Sequence, residues 1–287
     1  MALLNFLFGH LKLEINRRDL VVEVGAGGDP FLRSDIIVEK FIEDDRERHT
    51  GLLLDRTVIG ADWAMLPFRD KSIDYNICSH VLEHIADPKP FLDELSRVSK
   101  RGLIITPQGG YERLHPKGGH LWYVWNKNGI LCLKQKRCWN EFPEVREFYR
   151  QMVRLKGYWR FWNDHYSFFN TIFEWENRIN YRIGQNGDFD FSKFLKATGD
   201  QDEGFLVAKT TSIRQRGKSL VGKIFRPLIS AHWNIDINKM ICCPICKGEL
   251  SPILSDTIDT KCENCQAKFP LRHSIPRLLK EEAEFLI

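Results

Sequence analysis

The sequence predicts an α/β protein: a mainly parallel sheet, an aromatic-rich cover over its active edge, and a small cysteine-bearing domain at the C-terminus. Three observations lead there. From Asp19 to Pro107, short apolar and often β-branched runs alternate with helical or loop segments, as strands buried on both faces do. From about Gly109 to Lys209, tryptophans and tyrosines crowd the chain. Near the end, four of the eight cysteines stand in two Cys-x-x-Cys pairs. A chain of 287 residues with 43% hydrophobic content can bury one full-sized core and a smaller one, which excludes a disordered or fibrous protein.

Strands are expected at Leu20 to Val24, Ile36 to Val38, Thr57 to Ala61, Ile73 to Cys78 and Leu103 to Thr106. The clearest helix lies before the last of these. Asp87 can cap it, Pro88 fits its first turn, and Phe91, Leu92, Leu95 and Val98 share one face. Lys100 and Arg101 suit its C-terminal dipole, and Gly102 is expected to stop it. Met1 to Phe8 reads as a first helix packed on the main domain, since no basic segment precedes it and no small-residue cleavage site follows. No apolar run approaches the roughly 20 residues that span a bilayer, so a soluble, cytoplasmic protein without a transmembrane segment is expected. The net charge of +4 is too small to select nucleic acid as a partner.

The aromatic clusters at Leu121 to Trp125, Tyr158 to Tyr166 and Phe168 to Trp175 read as an insertion covering the sheet, residues 109–203, with a late strand at Gly204 to Ala208. Such aromatics can stack on a ring substrate or form the core of the cover. Together, residues 1–209 make the main domain. Between Gly204 and Ile235 there is no acidic residue, whereas Lys209, Arg214, Arg216, Lys218, Lys223 and Arg226 are basic, so residues 210–238 read as a linker and docking helix. A membrane-surface helix from Leu220 to Ile229 is the alternative, with Pro227 expected to interrupt it. Residues 239–287 form the small terminal domain.

The run Val21-Val22-Glu23-Val24-Gly25-Ala26-Gly27 sets a glycine turn directly after the first strand, where a backbone can approach a ligand closely. Acids recur where the next strands end, Glu39 and then Asp62. In an open parallel sheet these face one crevice at the carboxyl ends of the strands. One carboxylate there can accept from ribose hydroxyls and another from an adenine amino group.

These motifs, over roughly Asp19 to Gln108, resemble the class I methyltransferases that use S-adenosylmethionine (SAM), particularly the small-molecule branch of ubiquinone and menaquinone biosynthesis. The resemblance implies a Rossmann-like fold with SAM as cofactor. It assigns Glu23, Gly25 and Gly27 to the first motif, Glu39 to the ribose, and Asp62 with Trp63 to the adenine. Asp74 to His84 resembles the fourth-strand motif, which brings Ser79 and His80 beside the methionine part of SAM. Two departures stand out. Asp29 replaces the third glycine, and few residues separate the turn from the second strand, so either the first helix is vestigial or that strand lies elsewhere. A nicotinamide-dependent dehydrogenase competes, because it also uses a glycine turn and a following acid. His80 and His84 could form a metal pair, but their order is not His-Glu-x-x-His.

Methyl transfer from a sulfonium is an in-line displacement, accelerated mainly by holding the acceptor close and aligned. A hydroxyl or amine acceptor also gains from a general base. The candidates are His115 and His120, each of which can instead be a surface or structural histidine, and His80, which can line the pocket.

Cys243, Cys246, Cys262 and Cys265 follow C-x2-C-x15-C-x2-C, a spacing that presents four thiolates to one structural zinc ion. Cys242 is expected to be a bystander. The residues from Ile241 to Leu250 and Phe269 to Leu279 resemble the small zinc-ribbon activator subunit of tRNA, rRNA and translation-factor methyltransferases, which implies a ribbon packed on the apolar face of a methyltransferase. The leading expectation is therefore a SAM-dependent methyltransferase for a small-molecule or glycan-like acceptor. RNA or a translation factor as acceptor, and a non-enzymatic SAM-fold scaffold, are the alternatives.

Overall fold

The computed structural model describes residues 13–43, 51–138, 143–184, 224–232, 235–253 and 259–285. The expected helix at Met1 to Phe8 and the expected strand at Gly204 to Ala208 lie outside these residues. The apolar, β-branched runs form Val21–Val24 (β1), Ile36–Glu39 (β2), Thr57–Ala61 (β3) and Ile73–Ser79 (β4), buried almost throughout. They pair in parallel in the order β3-β2-β1-β4. Pro88–Val98 (α1) crosses from β4 to Ser99–Pro107 (β5), which lies parallel beside β4. Asp87 caps α1 by accepting from the Lys89 N–H, and Phe91, Leu92, Leu95 and Val98 are buried on its inner face.

The end of α1 differs from expectation. The helix stops at Val98 and β5 starts at once, so Lys100 and Arg101 serve no helix terminus. They pair instead with Asp74 at 2.7 Å and Asp19 at 2.6 Å. Gly102 lies inside β5, where a Cβ would stand 2.6 Å from the Asn76 carbonyl oxygen and 3.0 Å from the Trp175 ring. Close packing, and not a helix stop, requires this glycine.

Gly109–Leu114 (α2), Trp122–Lys127 (β6), Ile130–Gln135 (β7), Pro143–Met152 (α3), Tyr158–Asp164 (α4) and Tyr166–Phe169 (α5) follow β5. Asn170–Glu176 (β8) then pairs antiparallel with β5, and Tyr181–Gly184 (β9) joins β6 and β7 in a separate three-stranded sheet. The Phe168 to Trp175 stretch, expected within the cover, thus supplies most of a strand of the main sheet beside β5. Its alternation explains this, with Phe173 and Trp175 buried while Glu174 and Glu176 face out. Residues 224–229 are helical (α6). Contrary to expectation, Pro227 does not interrupt that helix, because the Ser230 N–H still donates to the Arg226 carbonyl at 2.8 Å.

The cysteine-bearing tail contributes Thr260–Lys261 (β10), Ala267–Phe269 (β11), Leu271–Arg272 (β12), Ile275–Leu278 (β13) and Glu284–Phe285 (β14). β13 pairs in parallel with β3, with Arg277 opposite Gly60 and Leu278 opposite Ala61. Among the described residues the main sheet is therefore eight-stranded, β12-β13-β3-β2-β1-β4-β5-β8. Met240, Ile241, Cys243, Phe269 and Leu278 share one continuous apolar core with Val22, Val24, Ile36 and the inner face of α1. The result is a Rossmann-like α/β fold with a mainly parallel sheet. No helix among the described residues is long and apolar enough to cross a membrane.

The crossover from β1 to β2, residues 25–35, contains no helix. Polar side chains close it instead. Glu23 Oε2 accepts from the Phe31 N–H at 2.9 Å and from the Ser34 hydroxyl, and Asp35 Oδ2 accepts from the Val21 N–H at 2.9 Å and from Arg33 at 2.8 Å. Arg56 donates to the carbonyls of Phe31 and Ser34, and Ser230, beyond α6, donates to Asp35. The strand expected at Ile36 is in place and the first helix is absent from the crossover.

Candidate active site

Strands β1 to β4 end along one edge of the sheet, and the glycine turn occupies its middle. Gly25 and Gly27 have φ of +71° and +56°, a region that favours glycine. A Cβ on Gly25 would meet Val81 Cγ2 at 2.3 Å, so a side chain there would displace the loop after β4. The Gly25 N–H donates to the Val38 carbonyl at 2.9 Å, which ties the turn to β2. At the end of β2, Glu39 accepts from the Gly27 N–H at 2.5 Å. The Glu39 carboxylate is thus aimed at the glycine turn. Glu23 is 2% exposed and holds the crossover, so it shapes the turn from beneath.

One strand further, Asp62 accepts from the Ala64 N–H at 2.8 Å through Oδ1 and pairs with Lys40 at 2.5 Å through Oδ2. Lys40 Nζ lies 5.5 Å from the centre of the Trp63 ring, and Phe41 meets Trp63 edge-on at 5.9 Å. An aromatic wall therefore stands beside the second acid. Lys40 and Phe41 were not singled out in the sequence; the only signal available was their position directly after Glu39.

At the end of β4, Ser79 is followed by His80 with φ of +57°, whose N–H donates to the Ile105 carbonyl. His80 Nδ1 meets Glu83 Oε1 at 3.2 Å, and the His80 side chain is 43% exposed. Leu82–His84 makes one 3-10 turn. The Leu121 N–H donates to the Glu83 carbonyl at 2.7 Å and the Trp122 indole to the Ile85 carbonyl at 2.7 Å. Those two bonds bring His120 against His84, their rings perpendicular and 4.7 Å apart.

His120 is buried, and its Nδ1 lies 2.7 Å from Glu112 Oε2. Glu112 also binds the ammonium of Lys136, which is fully buried, and the Lys117 N–H. Burial would raise the Glu112 carboxyl, but His120 and Lys136 hold it below its usual range. Burial also works against Glu83, yet the His80 bond and the flanking histidines hold that carboxyl at about 2. His84 is pushed down to about 4, chiefly by burial and then by His120 beside it. Glu112 and Lys136 escaped notice in the sequence because they lie 8 and 16 residues from His120.

His115 lies apart, ringed by Tyr111 and Tyr149 with centroids 6.0 and 5.2 Å away. Burial, then the Lys117 charge, pushes it down to about 4. The three histidine candidates therefore occupy distinct surroundings: His80 half-open at a strand end, His120 enclosed, and His115 in an aromatic nest.

In the tail, Cys243, Cys246, Cys262 and Cys265 converge, with all four sulfurs within 4.8 Å of one another. Cys243 to Cys265 is 3.7 Å and Cys246 to Cys262 is 3.4 Å. Tetrahedral thiolates on zinc at about 2.3 Å stand roughly 3.8 Å apart, so the four sulfurs fit such an ion. Lys247 and Gln266 adopt φ of +60° and +62° in the two knuckles. Cys242 sits outside the cluster, its N–H donating to the Pro67 carbonyl at 3.0 Å.

Residues 36–106 match the family model of a methyltransferase domain. A methyltransferase of Mycolicibacterium vanbaalenii is 35% identical over 81 residues, 24% of this chain and 32% of that protein. The chain thus spans about a third of the length of this relative. Among solved structures, the Haloferax volcanii complex of the Trm112 methyltransferase activator with a methyltransferase aligns at 18% identity and a TM-score of 0.28, covering 35% of this chain and 51% of the other. A SAM-dependent methyltransferase from Aquifex aeolicus aligns at 18% identity and a TM-score of 0.29, covering 37% and 68%. The family match likens the stretch from β2 into β5 to a methyltransferase domain.

Proposed function

We propose that this chain transfers the methyl group of SAM to a small-molecule or glycan-like acceptor. The observation that carries the proposal is the Glu39 carboxylate drawn onto the Gly27 N–H at the strand-end edge, with Asp62 and Trp63 one strand away. In this reading Glu39 holds the ribose hydroxyls, while Asp62 accepts from the adenine amino group beside Trp63. Ser79 and His80 line the methionine end, and Glu23, Gly25 and Gly27 keep the turn close and free of side chains. SAM supplies an electrophilic methyl on a sulfonium, and the residues align the acceptor and exclude water.

Of the three histidines, His80 best suits a general base, because it is accessible and Glu83 orients its ring. Apart from β8, the aromatic-rich residues 109–203 act as the substrate cover, whose rings can stack on a ring-bearing acceptor. Residues 239–287 act as an activator-like ribbon that holds a structural zinc at its four cysteines and completes the sheet edge beside Asp62. Residues 210–238 join the two.

Transfer of label from methyl-labelled SAM into fractionated cell extract tests the proposal. Label should enter the small-molecule or glycan fraction and be lost with Glu39→Gln. Label confined to RNA or to a translation factor would move the acceptor to the alternative class, and none in any fraction would remove the enzymatic reading.

A further inference from the structure

The geometry points to a second metal centre, a divalent transition-ion site formed by Glu83, His84 and His120. One potential ligand atom from each of the three lies within 4.8 Å of the others. Ligands about 2.1 Å from a shared ion stand roughly 3.4 Å apart, so small side-chain rotations close the site. The ligands come from two places in the chain, the turn after β4 and the segment entering β6, which the bonds from Leu121 and Trp122 hold together.

The surrounding groups prepare each ligand. His84 Nδ1 lies 3.1 Å from the Gly119 carbonyl, which can only accept, so that nitrogen carries the proton and Nε2 keeps its lone pair. His120 Nδ1 faces the Glu112 carboxylate, which leaves Nε2 as the nitrogen able to meet an ion. A histidine that donates its far N–H to a carbonyl or a carboxylate is the usual arrangement of a metal-bound imidazole. Glu83 completes the set. Its Oε1 meets His80, while Oε2 is buried with no hydrogen-bond partner among the described residues. A buried carboxylate oxygen left unmatched costs free energy, and a cation at this point would satisfy it.

Two imidazoles and one carboxylate select zinc, iron, cobalt or nickel over magnesium or calcium, which prefer oxygen-only shells. Three protein ligands leave a tetrahedral ion one open position, unlike the closed four-cysteine site in the tail. The centre would pin the cover to the strand-end turn, and it stands whether or not the chain transfers methyl groups.

The test uses full-length protein produced with cobalt(II) in place of zinc. About two ions per chain are expected, one at the cysteines and one at this cluster. The second should add visible ligand-field bands without the sulfur-to-cobalt charge transfer of a thiolate site. His84→Gln and Glu83→Gln should each lose the second ion and its bands while keeping the charge-transfer signal, which also reports a folded chain. Glu83→Gln nearly preserves shape and serves if the histidine variant misfolds. A wild-type chain that takes up cobalt only at its cysteines, or a second ion retained in both variants, overturns the assignment.

Discussion

Two crossovers of the same parallel sheet are closed in opposite ways. Between β4 and β5, α1 carries its own cover and lays Phe91, Leu92, Leu95 and Val98 into the core. Between β1 and β2 there is no helix, and buried Glu23, Arg33, Ser34 and Asp35 hold the chain through hydrogen bonds. The first arrangement is locally self-sufficient. The second borrows from far along the chain, from Arg56, Ser230 and the tail, whose β13 extends the sheet beside β3. Distant segments are therefore part of the core, and damage to them should reach the strands that present the candidate site.

Removal of the zinc proposed for the four cysteines offers the largest test of this contrast. Small zinc ribbons gain much of their folding free energy from the metal, about 10 to 16 kcal/mol in isolated peptides. Chelation should expose the backbone amides of β3 to hydrogen exchange together with those of the tail. If only residues 235–285 lost protection while 57–61 kept it, the borrowed edge would be dispensable. Next in size, Asp35→Ala should cost about 3 to 5 kcal/mol in urea unfolding, because it leaves the buried Arg33 charge without its carboxylate. On the self-sufficient side, Asp87→Ala removes a single cap from α1 and should cost about 1 kcal/mol. Equal costs for those two changes would erase the difference between the crossovers. A pH-dependent effect concerns His115, whose folded value of about 4 lies below its ordinary 6.5. The unfolded chain binds the extra proton between those values, so this contribution to stability is present above pH 6.5 and lost as pH falls toward 4. The slope is at most about 1.4 kcal/mol per pH unit, and His115→Asn should flatten it in acid unfolding.

Much of this architecture was legible in the sequence. The apolar runs at Val21, Ile36, Thr57 and Ile73 mark strands because a parallel sheet buries both faces, and α1 shows in the spacing of its four apolar residues. The strand of Asn170–Glu176 was hidden because its aromatic content looked like cover, and pairing with β5 is a tertiary fact. β13 was hidden for another reason: Pro276 and Arg277 break the strand pattern, yet Pro276 pairs with Leu271 of β12 and Arg277 with Gly60 of β3. That the glycine turn, Glu39 and Asp62 share one edge was readable because parallel strands end on the same side. Glu112, His120 and Glu83 converge only after the cover folds back, and no local spacing announces that.

The most direct measurement is a calorimetric titration of SAM into the full chain. Saturable binding to a single site is expected, weakened about 10- to 100-fold by Glu39→Gln through the loss of charge-assisted hydrogen bonds. No heat at millimolar SAM from a folded, zinc-loaded protein would contradict it.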